Sequence, residues 1–184
     1  MRSRSRSNSG CASTPASSPT PCCPARKTRR TRLTEHPPFV LPAATAGAQP
    51  LDADDQALIA AARDVLRRHY RPFWHTVAAA LRGRDGRIWT GLHLGAIVGR
   101  LQICAEAVAV GRAMLEGDGT IGTLVAVRHP KADEPEREIA VVSPCGACRE
   151  MVVDYSPDAL VIVPSDAGLL KVPVQVLLPL PYRR

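Results

Sequence analysis

Aromatic side chains are scarce: Phe, Trp and Tyr together make up 4% of the 184 residues. A chain so poor in flat rings lacks the stacking platforms on which unpaired nucleic-acid bases are held. Its core has to come from Ala, Val, Leu and Ile, which the 45% hydrophobic content supplies. Long apolar runs are missing too. No uninterrupted stretch reaches the roughly 20 residues of a membrane-spanning helix, and no apolar core follows a basic start as in a secretory leader. A soluble cytoplasmic protein with no membrane partner is therefore expected. Acid is nearly absent before Pro50, where Glu35 stands against eight basic residues. From Leu51 onward 16 basic and 16 acidic residues cancel, so the formal charge of +7 belongs to the first fifty residues. The remainder carries no basic stripe of the kind that nucleic-acid binding requires, and nucleic acid is not an expected partner.

The first stretch, opening MRSRSRSNSG, is rich in Ser, Pro and Arg and has no hydrophobic periodicity. It has too little apolar surface to offset the entropy of ordering it. The expectation is a disordered basic tail over residues 1–50 and one folded domain over 51–184. A nucleic-acid-binding arm, a transit peptide and a dispensable extension remain open readings of the tail. Six cysteines are present, with Cys11, Cys22 and Cys23 in the tail and Cys104, Cys145 and Cys148 beyond it. Without signs of secretion, a disulfide framework is not expected.

Residues 51–70 predict an amphipathic helix, with Asp52, Asp54 and Asp55 at its start and Leu58, Ala61, Ala62 and Val65 on one face. The stretch HTVAAALRGRDGRIWTGLHL reads as a hairpin turning near Asp85-Gly86. A helix follows from about Cys104 to Glu116, then the apolar strand TIGTLVAVRHP, the charged loop KADEPERE and the short strand IAVV. SPCGACREMVVDY begins as a turn and becomes a helix. ALVIVPSD and LLKVPVQVLLP are the last two strands, the second interrupted or edged by Pro173. Short apolar strands alternating with helices predict an α/β layered domain, and the hairpin makes its sheet mixed.

Cys145 and Cys148 form a C-x-x-C at the head of a predicted helix. Alone this is ambiguous among a redox motif, a zinc knuckle and coincidence. Cys104 also opens a helix, so three thiols can converge at helix N-termini, where the dipoles favour thiolate. Three such ligands on a tetrahedral Zn²⁺ leave one position open to water, as in catalytic sites. Glu106, two residues after Cys104, can then stand beside that water without ligating the metal, take its proton and deliver it to a reacting nitrogen. C-A-E followed by P-C-x-x-C is the zinc nucleobase deaminase pattern with cysteine as first ligand.

With GRIWTG, ICAE, SPCGACR and LLPLPY in place, most of residues 57–182 resembles the cytidine deaminase family and its blasticidin-S deaminase relative. The resemblance implies Zn²⁺ held by Cys104, Cys145 and Cys148, with Glu106 shuttling the proton as a cytosine nucleoside loses ammonia. It implies a three-layer α-β-α sandwich with a five-stranded mixed sheet, and a homo-oligomer, tetramer or dimer, with sites at subunit interfaces. Tyr182 matches the C-terminal aromatic that covers the base in a neighbouring subunit. Two departures stand out. Nucleoside-specific members carry N-V-E-N to hold ribose, whereas this chain has HLGA, with His93 for Asn and Gly95 for Glu. Members with three cysteine ligands tend to carry Arg directly after the Glu, whereas Ala107 stands here; Arg149, and less so Arg100, are candidates to offset the thiolate charge. The expected substrate is cytidine, deoxycytidine or an analogue. The alternative is an aminoacyl-nucleoside antibiotic of the blasticidin type, for which Gly95 would leave room and His93 would supply a polar contact. A nucleic-acid-editing enzyme, or an inactive interaction protein on the same fold, is the lower alternative; the intact Glu106 argues against the inactive form.

Overall fold

Both faces of one sheet are apolar in this chain, and helices cover each. The computed structural model describes residues 41, 42 and 44–182. In order these form α1 (Ala53–His69), β1 (Val77–Arg82), β2 (Ile88–Leu92), α2 (Ala105–Glu116), β3 (Thr123–Arg128), β4 (Ala140–Val142), α3 (Gly146–Tyr155), β5 (Leu160–Ser165), β6 (Gly168–Pro173) and a short α4 (Val174–Leu177). Side chains alternate along a strand. Ala78, Ala80, Val125, Val127 and Ile162 therefore join one core cluster, and Ala79, Leu81, Leu124, Ala126, Val161 and Val163 the other. Leu58, Ile59, Ala62 and Leu66 of α1 cover the first face. Ala105, Ala109, Val110 and Ala113 of α2, with Val152 and Val153 of α3, cover the second. This is the three-layer sandwich that the sequence predicts.

The layers come close because small residues let them. A Cβ on Gly91 of β2 would lie 2.1 Å from the Ala105 carbonyl oxygen and 2.5 Å from the Ala109 nitrogen. Glycine alone permits this approach of helix to strand.

The strand order is β2-β1-β3-β5-β6, with β4 also paired to β3, so the sheet has six strands rather than the five expected. The extra strand comes from an edge shared by two partners. β1 pairs along one whole edge of β3. On the other edge β5 runs parallel to residues 123–125 while β4 runs antiparallel to residues 126–128. With β5 occupying the continuation of that edge, the chain has to leave the sheet after Val142. It passes to the face covered by α2, where α3 packs.

The last strand breaks at the proline expected to interrupt or edge it. It stops at Pro173, which has no N–H to continue a ladder, and the Val174 N–H donates instead to the Ala159 carbonyl at 2.9 Å as α4 begins. The hairpin turns as predicted, with Gly86 at φ +83°, the left-handed region that glycine tolerates.

A buried ion cluster fixes the start of α1. The Asp52 side chain accepts from the Asp55 N–H at 2.9 Å, and the Asp55 carboxylate accepts from the Asp52 N–H at 3.2 Å, a reciprocal capping box. Asp55 is fully buried and meets Arg82 of β1 at 3.0 Å and Lys171 of β6 at 2.6 Å. Lys171 also reaches Asp52 at 2.9 Å. The cluster thereby joins α1 to two strands on opposite sides of the central β3.

Residues 1–40 of the expected tail lie outside the described residues. Leu41 and Gln49, within the same expected tail, bridge to Ser165 and Lys171, and Leu41 and Ala48 pack against the second core cluster. Isolated contacts of this kind carry no periodicity that a sequence would display. Among the described residues, no helix is long and apolar enough to cross a membrane.

Candidate active site

Two helices begin with a thiol where a capping oxygen ordinarily stands. Cys104 is the N-cap of α2 and Cys145 the N-cap of α3; the Cys104 side chain makes no capping bond to its helix, and the Cys145 thiol meets only Cys148 in its own. An N-cap position ordinarily holds an oxygen that satisfies a free N–H of the first turn, so both thiols are available for another task. Cys148 lies one turn into α3 and is buried. The Sγ atoms of all three lie within 4.8 Å of one another, with Cys104 and Cys145 3.7 Å apart. Tetrahedral coordination with zinc–sulfur bonds of about 2.3 Å places sulfurs about 3.8 Å apart, so the cluster suits such an ion. Thiol chemistry agrees with the spacing. Burial pushes the Cys148 thiol strongly up, and the nearby Glu106 carboxylate adds to this. Burial also raises Cys104. Cys145 is lowered: burial, the largest single influence, works against this, and hydrogen bonds from the Cys148 backbone and from the Cys148 and Cys104 thiols outweigh it. Three sulfurs that resist ionising together in a small space are stable as thiolates only beside a cation.

Glu106, at the second position of α2, is 4% exposed. It lines a cavity of about 150 Å³ together with Val77, His93, Cys104, Val142, Ser143 and Cys145. The fold explains the convergence. β2 leads to His93, the Gly91 contact sets α2 and hence Cys104 and Glu106, and the crowded edge of β3 expels Ser143 and Cys145 onto the same face. Nδ1 of His93 is buried there without a hydrogen-bond partner. The His93 backbone is fixed, with its N–H donating to the Val77 carbonyl at 2.9 Å and its carbonyl 2.9 Å from Nδ1 of His75.

The structure brings together Cys104, Cys145, Cys148, Glu106 and His93. Other expectations meet a different outcome. The room expected at Gly95 is already filled: a Cβ there would sit 2.5 Å from the Phe73 carbonyl oxygen and 2.7 Å from Trp74 Cα. Gly95 also donates to the Trp74 carbonyl at 2.8 Å. This glycine serves a backbone contact and opens no space for a substrate. Arg149 donates to the carbonyls of Pro144 and Leu177 at 2.9 and 3.0 Å and to Ser143 Oγ at 3.0 Å. It ties the loop entering Cys145 to α4, and all three acceptors are neutral. Arg100 is exposed in a 3-10 turn, Gly99–Leu101. Tyr182 is 74% exposed and does not line the cavity; its backbone N–H bonds to the Glu150 carboxylate. Val77, Val142 and Ser143 escaped the sequence reading. Ser143 alone left a signal, standing two residues before the C-x-x-C.

Comparison with known proteins bears on the same region. Residues 52–163, more than half of the chain, match the cytidine and deoxycytidylate deaminase zinc-binding region. The chain belongs to this deaminase family. It is 41% identical over 134 residues to blasticidin-S deaminase of Bacillus cereus, covering 73% of this chain and 96% of that one. A probable cytidine deaminase of Dictyostelium discoideum is 31% identical over 122 residues, covering 66% and 78%. Among solved structures, cytidine deaminase from Burkholderia pseudomallei superposes with a TM-score of 0.56 at 26% identity, covering 69% of this chain and 98% of that one. The enzyme from Mycobacterium tuberculosis gives 0.57 at 23% identity, covering 72% and 100%, a likeness of fold. The protein is thus a hydrolytic deaminase, and its thiol cluster is consistent with the Zn²⁺ of the family.

Proposed function

We propose that this deaminase acts on a cytosine nucleoside whose sugar is not plain ribose, an aminoacyl-nucleoside of the blasticidin type. The observation that carries the reading is the pair of positions, His93 and Gly95, where ribose-binding members of the family carry Asn and Glu. His93 offers one unpartnered nitrogen there, and the space beside Gly95 is closed by the Phe73–Trp74 backbone, so no carboxylate is available to hold ribose hydroxyls. The 41% identity to a blasticidin-S deaminase supports the same choice. Cytidine or deoxycytidine is the second reading, favoured by the cytidine deaminase relatives.

In the mechanism, Cys104, Cys145 and Cys148 would hold Zn²⁺, which would supply Lewis-acid polarisation of the attacking water. The Glu106 carboxylate takes one proton from that water and passes it to a ring nitrogen. As the carbon–nitrogen bond breaks it carries the remaining water proton from the new hydroxyl to the leaving amine, so water and the amino-pyrimidine become the oxo-pyrimidine and ammonia. Burial of Glu106 keeps bulk water from competing for these protons. His93 Nδ1 hydrogen-bonds the sugar end of the substrate, and Arg149 holds the loop that presents Cys145. The folded domain, with its active site open in the single chain, acts as a homo-oligomer in the cytoplasm, where Tyr182 of one copy reaches the site of another.

Ammonia release by zinc-loaded protein against blasticidin S, cytidine and deoxycytidine tests the reading, with Glu106→Gln as the blank. kcat/KM for blasticidin S should exceed that for cytidine by about a hundredfold or more, and His93→Ala should raise KM more than it lowers kcat. Equal or better turnover of cytidine would install the second reading. No Glu106-dependent turnover of any of them would overturn both.

A further inference from the structure

On the α1 side of the sheet lie two adjoining cavities, of about 500 and 470 Å³, that share Tyr70 and His129. None of their lining residues lines the thiol cavity. The first is basic. Arg63 and Arg67 stand one turn apart on α1, and Arg137 faces them from the charged loop before β4; Glu138 is the one carboxylate in the lining. Most of the guanidinium capacity is unspent. Among the described residues Arg67 has no hydrogen-bond or ion-pair partner, and Arg63 uses only Nε, on the Ile139 carbonyl at 3.1 Å. Arg137 is held by the carbonyls of Lys131 and Ala132, which orient it without neutralising it. The second cavity is mainly apolar. Tyr70 and His129 stack between the two at 3.6 Å and 14°. Phe73, on the rim, is 90% exposed and holds φ at +66°, a conformation that costs a bulky side chain energy. The turn is pinned by the Trp74 and His75 N–H groups, both donating to the Arg71 carbonyl.

We infer that this double cavity is a second binding site, for a small molecule bearing a phosphate group and a flat ring. The three guanidiniums take the phosphate, since their planar forks match its oxygens and exceed the Glu138 charge by two. The Tyr70–His129 stack and Phe73 take the ring. The loop 129–139 has no part in the deamination described above, and this site gives it one.

Isothermal titration of the zinc-loaded full chain with inorganic phosphate, phenyl phosphate and phenol tests the inference. Phenyl phosphate should bind about tenfold tighter than phosphate, and phenol should give no measurable heat. The double variant Arg67→Ala/Arg137→Ala should weaken both anions by more than about tenfold while keeping wild-type Tm and deaminase activity. Phe73→Ala should bring phenyl phosphate down to the affinity of inorganic phosphate. Anion binding unchanged in the double variant, or no anion binding at millimolar concentration, would overturn the site. Equal affinity of phosphate and phenyl phosphate in the wild-type chain would remove the ring subsite and with it the proposal as stated.

Discussion

Glu106 occupies the second position of a helix whose N-cap is a thiol, and its surroundings separate its job from that of the sulfurs. A carboxylate that only moves protons is dispensable for metal retention. Glu106→Gln should therefore keep its zinc by elemental analysis while kcat falls by about a thousandfold or more. Gly91 acts at one remove. A methyl group there meets the backbone of α2, and overpacking of this kind costs about 1–3 kcal/mol. Gly91→Ala should lower Tm and also weaken zinc retention, because the displaced helix carries Cys104. A normal zinc content at lowered Tm would separate packing from the site. The thiols and Glu106 were legible because their chemistry is written in residue type and short spacing at two helix starts. Val77 and Val142 were not, being ordinary strand residues whose place in the cavity depends on sheet register. Gly95 was misread because its neighbours, Phe73 and Trp74, are distant in sequence and touch it with backbone atoms.

At the scale of elements, α1 is held by charge as well as by Leu58, Ile59 and Leu66. The hydrogen bond from Lys171 and that from the Asp55 backbone hold the Asp52 carboxyl down at about 2. A depressed carboxylate stabilises the fold above its ordinary value of 3.8 and ceases to do so as pH falls through about 2. Tm should decline across that window, and Asp52→Asn should make the decline shallower. Lys171 has the opposite sign. Burial disfavours its charge, but the bonds to Asp55 and Asp52 prevail and raise it, so its contribution is complete below the ordinary lysine value and is lost as pH rises beyond it. Asp55→Ala removes the buried partner of two cations and should cost about 3–5 kcal/mol in chemical denaturation. The helices and the hairpin were readable from periodicity and from Asp85-Gly86. The short strand IAVV and the break at Pro173 were legible as well; the count of five came from the family resemblance, and what the sequence hid was that β4 shares an edge of β3 with β5 and that a single helical turn follows the proline.

For the whole molecule, metal and fold are coupled through the two helices that have a thiol at the N-cap. Chelation of zinc should lower Tm by at least about 5 °C. Cys145→Ala, which should lose metal and activity together, should show no further fall on chelation. The layer order was legible because each strand alternates between two apolar sets, a pattern that demands cover on both faces. The crowded edge of β3 has a consequence for how such a molecule can change over time. Its cavity lies where the chain leaves that edge, so its place is set by the sheet more than by the choice of any one lining side chain. Residues such as Val77, His93 and Val142 can then be exchanged by mutation while the hollow persists. New substrates become reachable in single steps, each leaving behind a protein that still folds.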